Sequence, residues 1–161
     1  MSDSTLSISY MSYDKKNDLK VLNSCLSKWF SNPKILHFVS PSMSYPFKIK
    51  QWVSQSYSNQ SNTLVLKLDN WIIGHISIKI NNQKESAHIF HLIIDPVYQQ
   101  KGYGKQLIYN AEKLINEYNI KKITVSVSNN NQIGKKFFEK NGFTAVKIGK
   151  SKRIMLFKNL D

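Results

Sequence analysis

Residues 92–107 read Leu-Ile-Ile-Asp-Pro-Val-Tyr-Gln-Gln-Lys-Gly-Tyr-Gly-Lys-Gln-Leu, and this stretch decides the fold. An apolar strand ends at Asp95 and Pro96, because proline has no N–H to donate to a sheet. Gly102 and Gly104 then stand where a helix begins, and glycine lets the backbone turn sharply and approach a ligand closely. The first turn of a helix leaves N–H groups without partners at the positive end of its dipole. The stretch therefore predicts an anion site, best suited to a phosphate or pyrophosphate.

Two common phosphate-binding motifs do not match this turn. A dinucleotide fingerprint needs a third glycine where Leu107 stands. A P-loop needs a glycine and a hydroxyl residue where the chain has Gln99 and Gln106. What remains is Gln-x-x-Gly-x-Gly between a strand and a helix. This pattern resembles the acetyl-coenzyme A motif of the GNAT superfamily of N-acetyltransferases, which reads Arg or Gln, two residues, Gly, one residue, then Gly or Ala.

A second segment, residues 131–143, is similar to the other GNAT motif, which reads Asn, two residues, Ala, three residues, Tyr, three residues, Gly-Phe. Asn131, Gly142 and Phe143 match this motif in type and spacing. Gly134 replaces the usual alanine, and Phe138 replaces the usual tyrosine. The resemblance runs over residues 63–157, whereas the helices before it match only in position.

The resemblance implies a single domain, residues 1–161, of the α+β class. Its central sheet would be mixed, mostly antiparallel, splayed after the fourth strand and flanked by about four helices. Acetyl-coenzyme A would lie in the opening and donate its acetyl group directly to an amine, without an acyl-enzyme. The positions that would hold the cofactor by this carry-over are Leu92, Ile94, Gln99, Gln100, Lys101, Gly102, Tyr103, Gly104, Lys105 and Asn131. A solvated role for the two lysines, a core role for Leu92 and Ile94, and a helix-cap role for Asn131 are the alternatives.

Two residues bear on the chemistry. Phe138 has no hydroxyl, so it cannot protonate the leaving thiolate as the family's tyrosine often does. His88 lies 11 residues before Gln99, at the offset where the histone-acetylating branch has a glutamate base. A histidine, with a reference pKa near 6.5, could take that role, and the alternative is a half-buried sheet histidine. His91, three residues on, is predicted to face the other side of the strand, which argues against a metal site of these two residues.

Composition narrows the class of protein. The net charge is +13, which indicates an anionic partner such as coenzyme A. The lysines are spread along the chain without a block, so nucleic acid is disfavoured as the main ligand. The single cysteine, Cys25, excludes an internal disulfide and is interpreted as a buried helix residue in a cytoplasmic protein. No apolar run is long enough for a membrane span, the N-terminus does not read as a signal peptide, and no metal cofactor is expected.

The hydrophobic pattern predicts the order of elements, and three consecutive antiparallel strands before a helix favour the α+β class. Strands are expected at residues 6–11, 63–68, 71–79, 86–95 and 123–127, followed by a last hairpin of residues 143–148 and 153–157. Helices are expected at residues 16–30, 102–118 and 129–141, with another that starts at Pro46 and runs to about residue 57. Asn32 and Pro33 are predicted to end the first helix. The segment of residues 35–39 is short and apolar, and its secondary structure is left open.

The predicted function is acetyl-coenzyme A-dependent N-acetyl transfer to a primary amine: a protein N-terminus, a lysine or a small amine. The excess of basic over acidic residues disfavours a strongly cationic acceptor, although Glu85, Asp95 and Glu139 could form a local acidic pocket. The alternative is a non-catalytic coenzyme A-binding module of the same fold, motivated by Phe138. The acceptor pocket is expected between the helices of residues 16–57 and the last hairpin, in a monomer or homodimer.

Overall fold

The computed structural model describes residues 4–146 and 152–160 and shows one mixed sheet with helices on both faces. The strands of the described chain are β1 (Leu6–Tyr10), β2 (Asn62–Leu68), β3 (Trp71–Asn81), β4 (Ser86–Ile94), β5 (Lys122–Ser128), β6 (Thr144–Val146) and β7 (Arg153–Asn159). They are ordered β1-β2-β3-β4-β5-β7-β6, and every neighbouring pair is antiparallel except β4 with β5. The predicted α+β class and mostly antiparallel sheet are confirmed.

The helices of the described chain are α1 (Lys16–Trp29), α2 (Pro33–Val39), α3 (Ile49–Ser58), α4 (Tyr103–Glu117) and α5 (Gln132–Lys140), with a 3-10 turn at Pro96–Tyr98. The helix α4 has the clearest apolar stripe, and its residues Leu107, Ala111 and Ile115 are fully buried. This agrees with the predicted helix at residues 102–118 to within a residue at each end.

Two details before β2 differ from the sequence prediction. Residues 35–39 belong to a fifth helix, α2, where about four helices were expected. Asn32 caps α2 by accepting a 2.9 Å hydrogen bond from the Lys34 N–H, and Pro33 occupies its first turn, so the segment predicted only to end α1 also begins a new helix. Pro46 does not open α3, because the backbone is still extended at the cap residue Lys48.

The sheet separates two apolar cores. On one face, α4 and α5 pack over β2–β5 through residues such as Leu107, Ile115 and Phe138. On the other face, α1, α2 and α3 enclose a core that contains Trp29, Phe30 and Trp52. Cys25 is buried in this second core, as predicted, and burial raises the pKa of its thiol to about 11.

The parallel pairing of β4 with β5 is short. It runs from Ser86 opposite Lys122 to Ile89 opposite Val125 and then ends, although both strands continue. The sheet therefore opens at its middle, which confirms the predicted splay after the fourth strand. Residues 147–151 of the predicted last hairpin lie outside the described residues; β6 and β7 on either side pair antiparallel from Thr144–Phe157 to Val146–Met155.

Candidate active site

The opening between β4 and β5 exposes main-chain groups of β4. The Asp95 N–H donates to the Ile73 carbonyl oxygen of β3 across 2.8 Å. Successive residues of a strand direct their main-chain groups to opposite neighbours, so Leu92 and Ile94 direct theirs toward β5, which has already diverged. The Ile94 carbonyl accepts a 3.0 Å hydrogen bond from the Gln99 side chain, which lies back against the strand end.

The turn after β4 presents its backbone amides to the same opening. Gln100 and Gly102 have left-handed φ values of +62° and +85°, and consecutive N–H groups in such a turn form an anion-binding concavity. Gly102 is the cap of α4, and a Cβ built on it meets nothing within 4 Å, so the space beside it is open. The first intrahelical hydrogen bond of α4 runs from Gln106 to Gly102, which leaves the N–H groups of Tyr103, Gly104 and Lys105 without a helical partner.

Lys101 and Lys105 flank this turn on the surface. Both are exposed, and the Lys101 ammonium lies 5.6 Å from the centre of the Tyr98 ring, a cation–π distance. With the positive end of the α4 dipole they make the turn a cationic surface. The structure thus brings together the predicted residues from Gln99 to Lys105 at the mouth of the β4–β5 opening.

The two marker residues of the second motif have structural roles. Asn131 caps α5, because its side-chain oxygen accepts a 2.9 Å hydrogen bond from the Gly134 N–H. A Cβ at Gly134 would come within 2.5 Å of the Asn131 amide nitrogen, so the glycine accommodates this cap. Phe138 is 7% exposed and packs edge-on against Phe137 and Phe143, with ring centres 5.2 and 5.4 Å away.

The strand β4 contains a bulge at His91. His75 and Ser77 of β3 are two residues apart, whereas their partners on β4, Ile93 and Phe90, are three residues apart. The extra residue on β4 is a β-bulge. His91 takes a left-handed φ of +51° to make this extra step. The prediction that His91 faces away from His88 is therefore wrong, because the bulge shifts the alternation and returns His91 to the face of His88 and Phe90.

His88 lies where β4 and β5 begin to separate. Its Nδ1 is 2.9 Å from the Thr124 hydroxyl, and that hydroxyl is 3.5 Å from the Ala87 carbonyl oxygen. The pKa of His88 is lowered by burial first, and then by the positive charges of Lys79 and Arg153. His88 is consequently neutral at pH 7, and its ring borders the cavity described below.

Three side chains contact the ring of His91. Its Nε2 lies 3.1 Å from the Ser40 hydroxyl and 2.9 Å from the Gln55 side-chain oxygen, and the ring stacks on Trp52 with centres 3.8 Å apart. The amide oxygen of Gln55 can only accept, so Nε2 carries the proton. Burial first, and then His75, lower the pKa of His91 to about 3.

A buried network of hydrogen bonds reaches the bulge from β3 and α3. Trp52 Nε1 donates to the Tyr13 hydroxyl at 3.1 Å, and that hydroxyl lies 3.0 Å from His75 Nε2. His75 Nδ1 donates in turn to the His91 carbonyl oxygen at 2.8 Å. With its Nδ1 protonated, His75 accepts a hydrogen bond from the Tyr13 hydroxyl at Nε2, so both ring nitrogens of His75 have a partner. Burial lowers the pKa of His75 to about 4.

The sequence analysis did not predict this hydrogen-bond network. His75 is a polar residue inside the otherwise apolar run of β3, which is a signal of a buried hydrogen-bond network. Tyr13 and Trp52 lie 62 and 39 residues from their partners in the chain, and no local pattern links them.

A cavity of about 280 Å³ opens in front of β4, between the end of α2 and the last turns of α3. Ser40, Gln55, Lys79, His88 and His91 are among its lining residues. A second cavity, of about 390 Å³, shares Ser42 and Gln55 with the first and extends along α3. Both cavities lie beside α2 and α3, on the helical side of the predicted acceptor pocket, and no described residue of the last hairpin lines either of them.

Within residues 4–146 and 152–160, no three His, Cys, Asp or Glu side chains are grouped to hold a metal ion. Among the same residues, no helix is long and apolar enough to cross a membrane. The three carboxylates proposed as a local acidic pocket do not line either cavity. Asp95 instead accepts a 3.0 Å hydrogen bond from the Val97 N–H and caps the 3-10 turn.

Comparison with known proteins gives three kinds of likeness. The model of the acetyltransferase (GNAT) family matches residues 26–143. A spermidine N(1)-acetyltransferase of Thermoplasma acidophilum is 33% identical over 109 residues, which are 59% of this chain and 66% of that protein. The match thus spans a little under two thirds of that relative.

Two solved structures are similar in fold. The PaiA N-acetyltransferase of Thermoplasma acidophilum, in complex with coenzyme A, aligns over 96% of this chain and 99% of its own with a TM-score of 0.72 and 22% identity. A candidate streptothricin acetyltransferase of Bacillus anthracis, in complex with acetyl coenzyme A, aligns over 63% of both chains with a TM-score of 0.57 and 29% identity.

Proposed function

The chain belongs to the acetyltransferase (GNAT) family, and from this premise we propose that it transfers the acetyl group of acetyl-coenzyme A to a primary amine. One observation carries the proposal. The parallel pairing of β4 with β5 ends at Ile89, before Leu92, Ile94 and the glycine turn, whose main-chain groups are directed to the opening. The opening can therefore take a long thin donor along β4, with its anionic end at α4.

The anionic end of the donor is assigned to the turn before α4. The N–H groups from Gln99 to Lys105 would hold the pyrophosphate, because the turn geometry at Gln100 and Gly102 points successive amides to one side. Lys101 and Lys105 would add charge. Leu92 and Ile94 would bind the pantetheine arm through main-chain hydrogen bonds, as an added strand would.

Asn131 has a narrower part in the proposal than its sequence position suggested. Its side-chain oxygen already accepts from Gly134, so only the amide nitrogen remains for the donor. A direct hydrogen bond from Asn131 to the cofactor would therefore come from Nδ2, while Oδ1 of the same side chain caps α5.

His88 is proposed as the general base. The Thr124 hydroxyl donates to the Ala87 carbonyl oxygen and so accepts a hydrogen bond from Nδ1–H of His88, which leaves Nε2 with a free lone pair. The amine loses a proton to Nε2, directly or through one water, and its nitrogen attacks the thioester carbon. The C–N bond forms, the C–S bond breaks, and coenzyme A leaves as the thiolate.

The leaving thiolate receives no proton from Phe138. A thiol with a reference pKa near 8.5 is acidic enough to leave without full protonation, so turnover is retained at reduced rate. The competing proposal, a coenzyme A-binding module without transfer, rests on this same substitution. We also propose a cytoplasmic location, which the single buried cysteine supports, and a monomeric or homodimeric state.

Thermal unfolding with acetyl-coenzyme A, followed by a thiol-release assay over a panel of primary amines, tests the proposal. Ligand at about 100 times its dissociation constant adds roughly 2.7 kcal/mol, or about 5–10 °C for a domain of this size. A rise in melting temperature with thiol release is expected. A rise without release from any amine supports the binding module instead, and no rise contradicts the cofactor site itself.

A further inference from the structure

The two cavities in front of β4 form one groove. The first is bordered by His88 and Lys79, and the second, along α3, by Lys50 and a series of serine and glutamine side chains. They share Ser42 and Gln55, so the groove is continuous from the histidine to Lys50. We call this surface the acceptor groove, because its inner end holds the base proposed above.

The acceptor groove has lysines at both ends and no carboxylate in its lining. Several carboxylates of the described chain bind partners elsewhere. Glu112 pairs with Lys158 at 2.7 Å, Asp14 accepts from the Tyr57 hydroxyl at 2.6 Å, and Asp69 accepts from the Thr5 N–H at 3.0 Å. Among residues 4–146 and 152–160, Lys158–Glu112 is the only ion pair within 4 Å, so neither Lys50 nor Lys79 has a carboxylate partner at that distance.

The lysines of the acceptor groove should discriminate among amine acceptors by the charge on the rest of the acceptor molecule. A polyamine carries two or more ammonium groups, and a second ammonium in the groove would be repelled by Lys50 or Lys79 with no carboxylate to offset the repulsion. A carboxylate at the far end of the acceptor would instead be attracted. Lys79 already acts on the inner end of the groove, since its charge contributes to the lowered pKa of His88. The positive charge of Lys79 also favours the neutral form of the reacting amine, and only the neutral amine is a nucleophile.

We propose that the acceptor is an amine that carries a carboxylate or similar anionic group on its far end, held by Lys50 with the amine directed to His88. The proposal rests on the acetyl transfer proposed above and adds the acceptor class. It separates this chain from the spermidine-acetylating relative, whose named substrate is a polycation. The reaction is the acetyl transfer already written, so one C–N bond forms and one C–S bond breaks.

A matched series of acceptors tests this. Hexane-1,6-diamine, hexylamine and 6-aminohexanoate present the same primary amine on the same chain, with a cationic, neutral or anionic end. We expect kcat/KM to rise in that order, with at least about tenfold between the first and the last. Lys50→Glu and Lys79→Glu should each reduce or reverse this preference, whereas Lys113→Glu, on the exposed side of α4, should keep it.

The outcomes separate the two proposals. Equal or better turnover of the diamine, or a preference that survives both groove substitutions, overturns the anionic acceptor while leaving acetyl transfer in place. Binding of acetyl-coenzyme A without turnover of any of the three also overturns it. Absence of acetyl-coenzyme A binding overturns the proposed function itself. Circular dichroism of each variant distinguishes a loss of preference from a loss of fold.

Discussion

His75 Nδ1 lies 2.8 Å from the carbonyl oxygen of His91, and this hydrogen bond fixes the bulge of β4 from the neighbouring strand. The bulge decides two features of the site. It returns the His91 ring to the groove beside His88, and it sets the direction in which Leu92 and Ile94 present their main-chain groups. A buried histidine thus acts on the proposed donor site through the backbone of another residue.

The two buried histidines make stability depend on pH. Their folded-state pKa values, about 4 for His75 and about 3 for His91, lie below the unfolded value near 6.5. The unfolded chain therefore binds more protons below pH 6.5, and the free energy of unfolding falls as pH decreases from there. Each histidine that is protonated only in the unfolded chain adds to this slope, and its contribution reaches its full value only well below pH 6.5.

Urea unfolding between pH 7 and pH 5 measures that slope. His91→Gln should reduce the slope whatever its effect on absolute stability, because one titrating group is gone while His75 and His88 still contribute. His37→Gln, on the exposed side of α2, is the matched control and should retain the full slope. A His91 variant with an unchanged slope would show that His91 is not held neutral in the folded protein.

His88→Ala should lower kcat/KM by on the order of 100-fold or more if His88 is the base. The readout that separates catalysis from structure is the pH profile. In the wild-type protein kcat/KM should fall on the acid side as His88 becomes protonated, at a pH below 6.5 because its pKa is lowered. The variant should lose that acid limb, and His37→Ala should keep it. An unchanged value across pH would remove His88 from the mechanism.

Phe138→Tyr should raise kcat, because it supplies the hydroxyl that can protonate the leaving thiolate. General acid help is worth on the order of 100- to 10,000-fold, so a gain of about tenfold is a modest expectation for an unoptimised site. Phe137→Tyr adds the same hydroxyl one residue earlier and should give no gain. If neither variant is faster in thiol release, the chemistry already uses another acid or needs none.

Gly102→Ala should weaken the binding of acetyl-coenzyme A by distorting the turn that presents its amides. Alanine at a φ of +85° costs about 1–2 kcal/mol in the native conformation. The chain offers a matched control in Gly142, which has a φ of +93° after α5. Gly142→Ala should lower the melting temperature by a similar amount and leave affinity intact. Equal affinity loss in both variants would mean that the effect is general destabilisation.

Local chemistry explains which parts of the fold the sequence could predict. The apolar period of α4 and the glycine turn before it are properties of adjacent residues, and both lie where the pattern placed them. The left-handed cap at Gly142 follows from the same reasoning. The order of three antiparallel strands before α4 identified the fold class without any distant contact.

The features that escaped prediction depend on contacts between distant residues. His91 adopts a left-handed φ without being glycine, because Trp52, Gln55 and the His75 hydrogen bond hold it there. Nothing in the residues around His91 signals this. The helix α2 was not predicted for a different reason: seven residues are too few for a clear period, and its cap was taken as the end of α1.

Amide hydrogen exchange with and without acetyl-coenzyme A tests the central claim most directly, because it locates the donor on the chain. The account predicts slowed exchange in peptides that cover residues 92–107, where the main-chain groups of Leu92 and Ile94 and the amides before α4 become bonded. Peptides that cover β1 and α1 should exchange at the same rate with and without acetyl-coenzyme A. Protection confined to other segments, with residues 92–107 exchanging at the same rate, would contradict the assignment of the β4–β5 opening as the donor site.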